Sequence, residues 1–212
     1  MPRFLLITTI VVISTVAAMF TFLFFFSDVQ ASDRRGTVTT ETALPGEPMS
    51  HLIDFQDPEE PHRWRAINDG VMGGISRGCM RVEAGVGIFS GEISLENNGG
   101  FASVRREPQA FDLSDADALS LYVRGDGRRY QLRLYTDQLP RGAAYRALFQ
   151  PPAGEWQHVA LPWEAFMPAF RGRLLEDVPP LDPAAITQLG VMLADRTAGP
   201  FRLEMAWLDT PH

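Results

Sequence analysis

Cysteine is almost absent from this 212-residue chain, in which Cys79 is the single example. One cysteine excludes an intramolecular disulfide framework, so a packed hydrophobic core must hold the fold. No histidine or other base adjoins Cys79 in the sequence. We therefore expect a small buried or half-buried residue there and not a reactive thiol.

A run of basic residues is also missing. Acidic residues outnumber basic ones by 26 to 19, which gives a formal net charge of -7. Binding to a nucleic-acid backbone requires clustered positive charge that neutralises phosphates. The composition therefore argues against a nucleic acid as partner.

The spacings typical of metal and nucleotide sites are absent as well. The four histidines are scattered along the sequence, and the glycine loop at residues 69–74 lacks the Lys-Ser/Thr pair of a phosphate-binding loop. We predict no cofactor and no catalytic metal. A structural calcium ion held by carboxylates such as Asp54, Asp57 or Asp209 is a separate hypothesis.

The N-terminus contains the one long hydrophobic run of the chain. Residues 4–26 carry no charge and are almost wholly apolar, which is about the ~20 residues needed to span a bilayer. Residues 1–27 are therefore predicted to be an uncleaved signal anchor, and a signal peptide cleaved after the small-x-small sequence at 29–31 is the alternative. Both predictions place the following domain on the extracytoplasmic, periplasmic side of a membrane. Residues 28–50, rich in Ser, Thr, Glu and Pro, are predicted to be a flexible linker.

Residues 51–212 show the period-two alternation of β-strands. Leu119, Leu121 and Val123 alternate with polar neighbours, and the same pattern recurs at 130–134 and 201–207. Six further segments complete a set of about nine predicted strands, namely 52–55, 86–95, 101–106, 145–150, 156–161 and 188–193. The only helix candidates are short, at 163–166 and at 183–187, where Asp182 can cap the first turn. This pattern predicts an all-β, antiparallel sandwich or jelly roll of one domain.

Two short motifs invite functional interpretations that their contexts disfavour. Residues 74–78 match the Gly-x-Ser-x-Gly pattern of serine hydrolases, which would make Ser76 a nucleophile with His158 as base. No helix is predicted after Ser76, as that mechanism requires, so a glycine-shaped loop is the preferred interpretation. Residues 124–128 contain Arg-Gly-Asp, but Asp126-Gly127 between two alternating strands indicates a type I′ hairpin turn.

The aromatic residues suggest one further kind of site. Aromatic rings can stack on the faces of sugar rings, and six residues are candidates for such a platform: Trp64, Phe101, Trp156, Trp163, Phe166 and Phe170. Trp156 opens an alternating strand and is expected in the core, whereas Trp64 lies among polar residues.

Glycine and asparagine clusters dominate the segment from Trp64 to Arg105. Its order of Trp64, Asn-Asp-Gly-Val-Met-Gly-Gly at 68–74, Ser76, and Asn-Asn-Gly-Gly-Phe-Ala-Ser-Val-Arg at 97–105 resembles the complex I intermediate-associated protein family. Similar segments continue at Arg-Gly-Asp-Gly-x-x-Tyr (124–130) and beyond, so the resemblance covers roughly residues 51–209. It implies a galactose-binding-like β-sandwich, distantly related to carbohydrate-binding modules, and a non-catalytic assembly factor for respiratory NADH:ubiquinone oxidoreductase.

The resemblance and the residue types together define the predicted binding site. The first hypothesis is a membrane-tethered, non-enzymatic domain that binds a protein, such as a membrane-arm subunit of a respiratory complex. The second is a module that binds envelope glycans, and an esterase centred on Ser76 is a minor third. The candidate binding residues are Trp64, Asn68, Asp69, Met72, Ser76, Asn97, Asn98, Ser103, Arg105, Arg128 and Arg171.

Overall fold

The computed structural model of the protein describes residues 51–211, so the predicted signal segment and linker lie outside the described residues. The described part contains thirteen β-strands and five 3₁₀ helices. The strands are β1 (Ile53–Asp54), β2 (Trp64–Ala66), β3 (Arg77–Glu83), β4 (Val86–Ile93), β5 (Ala102–Arg106), β6 (Ala118–Arg124), β7 (Tyr130–Thr136), β8 (Ala144–Phe149), β9 (Trp156–Pro162), β10 (Met167–Phe170), β11 (Arg173–Leu174), β12 (Ile186–Leu193) and β13 (Gly199–Asp209). The 3₁₀ helices are Glu60–Arg63, Asp69–Met72, Glu96–Asn98, Trp163–Ala165 and Pro183–Ala185.

The strands form two antiparallel sheets that pack face to face. One sheet has the order β3-β4-β13-β6-β9, with β1 also paired to β13, and the other has the order β11-β10-β8-β7-β12-β5-β2. This confirms the predicted all-β antiparallel sandwich. Within residues 51–211, no helix is long and apolar enough to span a membrane.

The core forms because alternate residues of each strand face the opposite sheet. Leu119 and Leu121 of β6 are fully buried between the sheets, as are Leu132 and Leu134 of β7. These residues belong to one hydrophobic cluster to which both sheets contribute. All nine predicted strands are found, and the segments predicted as short helices are 3₁₀ turns, with Asp182 Oδ1 accepting a hydrogen bond from Ala184 N at 3.0 Å.

Four short or edge strands were missed. β2 and β11 contain three and two residues, too few to display a period. β3 carries Gly78 at an inward position, where an added Cβ would lie 2.7 Å from Cβ of Ala102. Because glycine backbone fills the core at this inward position, the sequence shows no apolar side chain there. The alternation that would predict a strand is therefore missing.

Two tryptophans occupy the outer face of the six-stranded sheet. The alternation in the sequence predicts that Trp207 faces the core, as Met205 does. The pairing of β13 with β6 shifts between these two residues, and this bulge turns Trp207 away from the core. Trp156 was expected in the core, but it lies half-buried on the same outer face and stacks on Tyr122 with ring centroids 5.1 Å apart.

Cys79 is exposed on β3, so its expected burial is wrong.

The Arg-Gly-Asp segment does not form the predicted hairpin. It connects β6 in one sheet with β7 in the other, and these strands are not paired. Asp126 accepts hydrogen bonds from Tyr130 Oη at 3.0 Å and from Arg202 N at 2.7 Å. Asp126 therefore fixes the crossing between the two sheets. Burial, followed by the nearby Asp126 carboxylate, raises the pKa of Tyr130 and keeps its hydroxyl protonated.

Candidate functional site

A groove with a volume of about 1080 Å³ lies on the outer face of the seven-stranded sheet. Outward-facing side chains of β5, β7, β8 and β12 form its floor. At the β5 and β2 end of the sheet, the groove is bordered by residues 67–72 and 95–101. On the side of β8 and β10, it is bordered by residues 141–146 and 170–172. Its volume slightly exceeds the usual range for small-molecule sites, ~300–1,000 Å³, which favours an extended ligand.

The two glycine-rich loops beside β5 are joined through one buried carboxylate. Asp69 Oδ1 accepts a hydrogen bond from Ser76 N at 2.9 Å, and Oδ2 accepts from Gly100 N at 2.7 Å and from Phe101 N at 3.3 Å. Asp69 is fully buried. Burial alone would raise the pKa of this carboxyl group, but the hydrogen bonds from Ser76, Gly100 and Phe101 outweigh it, and the pKa lies below its ordinary value. We call this arrangement the Asp69 clasp.

Glycines in both loops make room for the Asp69 clasp. A Cβ added at Gly74 would lie 2.4 Å from Cγ of Asp69, and one added at Gly99 would lie 2.6 Å from its Oδ2. Gly73 ends the 3₁₀ helix at Asp69–Met72 with a φ of +91°, which glycine adopts without strain. Gly74 and Gly99 are therefore required by the space that the buried Asp69 carboxylate occupies, and Gly73 by its positive φ.

Gly74→Ala is expected to lower the free energy of unfolding by about 2–3 kcal/mol, because the new methyl group would collide with the Asp69 carboxylate. Gly70→Ala is the matched control in the same loop, since its added Cβ would have no neighbour within 4 Å and its φ is not positive. Urea denaturation of both variants measures the difference. Equal stability of the two variants would contradict the packing that we describe.

Asn68 and Ser103 connect the same loops to the sheet. Asn68 Nδ2 donates to Gly78 O at 3.0 Å, and its Oδ1 accepts from Ser103 N at 3.2 Å. The Ser103 hydroxyl donates to Ile67 O. The polar groups of Asn68 are therefore used within the fold, and its expected role as a ligand contact has no support from its position.

The surroundings of Ser76 are those of a residue that stabilises a loop and not those of a catalytic nucleophile. Ser76 is buried, its hydroxyl donates to Ser94 O at 3.1 Å and it accepts from Ser94 N at 3.0 Å. It precedes β3, an antiparallel edge strand, and no strand-to-helix turn presents it. His158 is on the outer face of β9, which lies at the opposite edge of the same six-stranded sheet. This geometry is that of a glycine-shaped loop and not of a nucleophile elbow.

Five of the eleven predicted binding residues line the groove: Met72, Asn98, Ser103, Arg105 and Arg171. Asn97 is exposed in the same loop as Asn98, and both have a positive φ, of 54° and 58°. The structure therefore brings together two segments that the sequence suggested, 68–76 and 97–105, with Arg171 from a distant turn.

Arg128 and Trp64 are placed elsewhere. Arg128 forms an ion pair with Asp195, with Nη2 2.6 Å from Oδ1, and donates to the Pro200 carbonyl oxygen at 3.0 Å. Trp64 stacks on Phe55 and donates from Nε1 to Glu60 Oε1 at 2.9 Å. Both side chains hold the fold together, outside the groove.

The six aromatic residues considered for a sugar platform do not share one surface. Phe166 is buried in the core, and Trp163 packs against its edge. Trp156 lies on the six-stranded sheet, whereas Phe101 and Phe170 line the groove on the other sheet.

The hypothesis of a calcium ion at Asp54, Asp57 and Asp209 finds no support. Asp57 pairs with Arg63 at 3.5 Å, and Asp209 Oδ2 lies 2.9 Å from His51 Nδ1. Residues 51–211 contain no group of three His, Cys, Asp or Glu side chains arranged to hold a metal ion.

Sequence analysis missed four arginines of the groove: Arg133, Arg141, Arg146 and Arg196. Arg133 occupies an outward position in the alternating strand β7, and this was the only available signal. Strand register was needed to show that Arg133 lies directly opposite Arg146 on β8 and opposite Gly190 on β12.

Comparisons with known proteins agree with the fold and identify relatives. The family model described as Complex I intermediate-associated protein 30 (CIA30) matches residues 53–205. The chain is similar to the mitochondrial Complex I intermediate-associated protein 30 of Drosophila melanogaster, with 25% identity over 187 residues that cover 77% of this chain and 63% of that protein. The corresponding protein of Mus musculus is 26% identical over 192 residues, covering 77% of this chain and 58% of that protein. The chain therefore spans about three fifths of the length of these relatives.

The comparison with solved structures finds an agarase and a carbohydrate-binding module. The agarase AgWH50C matches with a TM-score of 0.53 and 14% identity, covering 77% of this chain and 24% of that one. The family 11 carbohydrate-binding module from Clostridium thermocellum, in complex with a mixed-linked tetrasaccharide, matches with a TM-score of 0.49 and 15% identity, covering 71% of this chain and 91% of that one. The agarase likeness concerns the fold alone.

Proposed function

Since the chain belongs to the complex I intermediate-associated protein 30 family, we propose that it is a non-catalytic binding domain that assists the assembly of an NADH:ubiquinone oxidoreductase of the complex I type. The mitochondrial relatives from Drosophila melanogaster and Mus musculus carry that name. Their similarity extends over most of the sandwich, which makes the β-domain the part through which this chain would act.

The observation that carries the proposal is the location of the motif that resembles the family. Residues 68–76 and 97–105 meet at the Asp69 clasp and form one border of the groove. Three backbone hydrogen bonds to one buried carboxylate fix the shape of this border. A rigid, preformed surface suits the binding of a partner, because little conformational entropy is lost on association.

The proposed partner is a protein of the membrane arm of the complex. Residues 4–26 would hold the domain at the membrane, with the domain on the extracytoplasmic side. Protease added outside the inner membrane of osmotically opened cells would then degrade the domain while a cytosolic marker stays intact. Full protection of the domain would refute this location.

Affinity purification tests the proposed function directly. The full chain with a C-terminal tag, expressed at its natural level, is purified from mildly solubilised membranes and the retained proteins are quantified by mass spectrometry. We expect enrichment of complex I-type subunits over a tagged control protein with the same N-terminal segment. A deletion strain is expected to accumulate partly assembled complex on native gels. No enrichment together with normal assembly in the deletion strain would refute the proposal.

A further inference from the structure

Six arginines line the groove, and no Asp or Glu does. They are Arg105, Arg133, Arg141, Arg146, Arg171 and Arg196. The chain as a whole is acidic, with a net charge of -7, so this concentration of positive charge on one face is unlike the rest of the molecule. None of the eight ion pairs within residues 51–211 involves any of the six.

Three of these arginines form a row across the sheet. Arg146 pairs with Arg133, Arg133 with Gly190, and Gly190 with Arg105, on adjacent strands β8, β7, β12 and β5. Directly paired residues of antiparallel strands share one face. With strands ~4.8 Å apart, the row is about 14 Å long, which matches about four residues of an extended chain.

The environment of the row leaves its positive charge uncompensated. The guanidinium carbon of Arg105 lies 3.8 Å from the ring centroid of Tyr135, and that of Arg133 lies 5.9 Å from the same centroid. Arg133 otherwise donates to Gln131, to the Tyr135 hydroxyl and to the Met192 sulfur, which are neutral groups. The buried Nε of Arg105 has no hydrogen-bond partner in the described part of the chain. Like charges held together without counter-charges favour an anionic ligand.

The chemistry of the basic residues indicates carboxylates. All 19 basic residues of the chain are arginines, and lysine is absent. A guanidinium group presents two parallel N–H donors that match a carboxylate, and it retains its charge when partly buried. Arg133, which is 7% exposed, and the half-buried Arg105 are therefore suited to bind Asp or Glu side chains that enter the groove.

Apolar side chains at the groove favour a peptide over a glycan. Met72 is 54% exposed and Val71 is 72% exposed at one border. Exposed apolar side chains suit contact with the apolar residues of a protein, and the flexible Met72 side chain can adapt to them. A sugar needs an uncovered aromatic face, but Arg105 lies over Tyr135, and Arg171 lies over Phe170 at 5.2 Å. The rings are therefore used to position guanidinium groups.

From this geometry we propose that the groove binds an extended acidic segment of a partner protein, with carboxylates that reach the arginine row and apolar residues that contact Val71 and Met72. This inference rests on the proposed function as a protein-binding domain. It adds the chemical class of the segment that is bound and the face that binds it.

Charge reversal at the exposed edge of the groove tests the proposal. Arg141, Arg171 and Arg196 are exposed, so the variant R141E/R171E/R196E is expected to fold. The control variant R77E/R81E/R129E changes the same charge at exposed arginines outside the groove. The probe is a labelled peptide of three Glu-Ala-Glu-Leu repeats, and the same peptide with Gln for Glu controls for charge.

We expect the wild-type protein to bind the Glu peptide, the groove variant to bind it about 30-fold more weakly, and the control variant to differ from wild type by less than about threefold. Binding should weaken between low and high salt, and the Gln peptide should not bind. Equal loss in both variants, or no binding of the Glu peptide at millimolar concentration, would overturn the proposal. Tighter binding of an oligogalacturonate of matched charge would also overturn it in favour of an acidic glycan.

Arg171 offers a second variant in which stability and binding should change in opposite directions. Its φ is 48° in the turn between β10 and β11, followed by Gly172 at 80°. Asn tolerates this conformation better than Arg. Arg171→Asn is expected to raise the melting temperature by about 2 °C while weakening peptide binding several-fold. Unchanged binding would remove Arg171 from the site.

The same variants distinguish this inference from the proposed function. If the groove variant retains complex I-type subunits in affinity purification as well as wild type does, the groove is not the binding face, although the proposed function stands. If the wild-type chain retains no such subunit but binds the Glu peptide with the expected variant pattern, the groove proposal stands and the proposed function falls.

Discussion

Asp69→Ala is expected to lower the free energy of unfolding by about 3–5 kcal/mol. The substitution removes the acceptor of three backbone N–H groups, those of Ser76, Gly100 and Phe101. Each buried donor left without a partner costs about 1–3 kcal/mol, and partial entry of water offsets some of that cost. Chemical denaturation followed by tryptophan fluorescence gives the value.

Ser114→Ala provides a control for the loss of an exposed side-chain hydrogen bond, in which Ser114 Oγ donates to Asp112 Oδ1 at 2.8 Å. Its expected cost is below about 0.5 kcal/mol. If Asp69→Ala destabilises no more than this control, the carboxylate does not hold the two loops together. A loss of peptide binding that accompanies the loss of stability would indicate that the same clasp shapes the groove.

The Asp69 clasp also predicts a pH dependence. The pKa of Asp69 is below its ordinary value of 3.8 in the folded protein, because the hydrogen bonds outweigh burial. The stabilisation is therefore fully present above the unfolded-state pKa, and it is lost as pH falls through the folded-state pKa. The pKa of Asp195 is also lowered, because burial is outweighed by hydrogen bonds from Arg128. The pKa of Glu204 is lowered for the same reason, with hydrogen bonds from Arg202 and Arg124. Wild-type stability should fall steeply below about pH 4, and Asp69→Ala should reduce that slope.

Glu60→Gln is the second substitution with a large expected effect, about 3–5 kcal/mol of lost stability. Glu60 and Arg106 are both almost fully buried, and they form a bidentate pair with distances of 2.7 Å and 2.9 Å. Trp64 Nε1 also donates to Glu60. Removal of the negative charge leaves the Arg106 guanidinium buried without a counter-charge. The new amide N–H₂ group would also face the N–H donors of Arg106 and Trp64, which it cannot accept from. Thermal and urea unfolding measure the loss.

A double replacement separates charge compensation from packing. Glu60→Leu with Arg106→Met removes both charges, and it should recover most of the stability lost in Glu60→Gln, because a buried pair can be replaced by apolar residues at little cost. A double variant as unstable as the single one would show that the other hydrogen bonds of Glu60, and not the buried charge of Arg106, account for the effect.

The two clusters of buried polar interactions connect stability with function. Arg106 and Arg105 are neighbours on β5, with Arg106 facing inward to Glu60 and Arg105 facing outward to the groove. Alternation along one strand thus places a structural arginine and a groove arginine side by side. Their different environments predict that substitutions of Arg106 affect folding, whereas substitutions of Arg105 affect mainly binding.

Much of the fold was predictable because alternation encodes burial. β6 and β7 display strict alternation in sequence, and their apolar residues Leu119, Leu121, Leu132 and Leu134 are fully buried in the structure. Trp207 was misplaced because a bulge shifts the face of every residue after it. The hairpin expected at Asp126-Gly127 was wrong because turn residues specify local backbone conformation and not which sheet the next strand joins.

The groove was only partly predictable. The loops at 68–76 and 97–105 were recognisable from their glycine and asparagine content, but Asn68, Asp69 and Ser76 looked like ligand contacts until their internal hydrogen bonds were known. The same residue type can be a buried structural residue or an exposed binding residue, and the sequence does not distinguish the two. Burial distinguishes them, and burial is a property of the packed structure.

The amino-acid sequence alone determined nine of the thirteen strands, the sandwich class and the two glycine-rich loops, because period-two hydrophobicity and backbone-permissive residues act over a few neighbouring positions. Only the tertiary structure decided that Asp69 joins those loops and that Arg105, Arg133 and Arg146 form one row on a single face. The three arginines are far apart in the chain, and strand register between distant segments brings them together. Such register depends on the packing of both sheets and not on any local pattern.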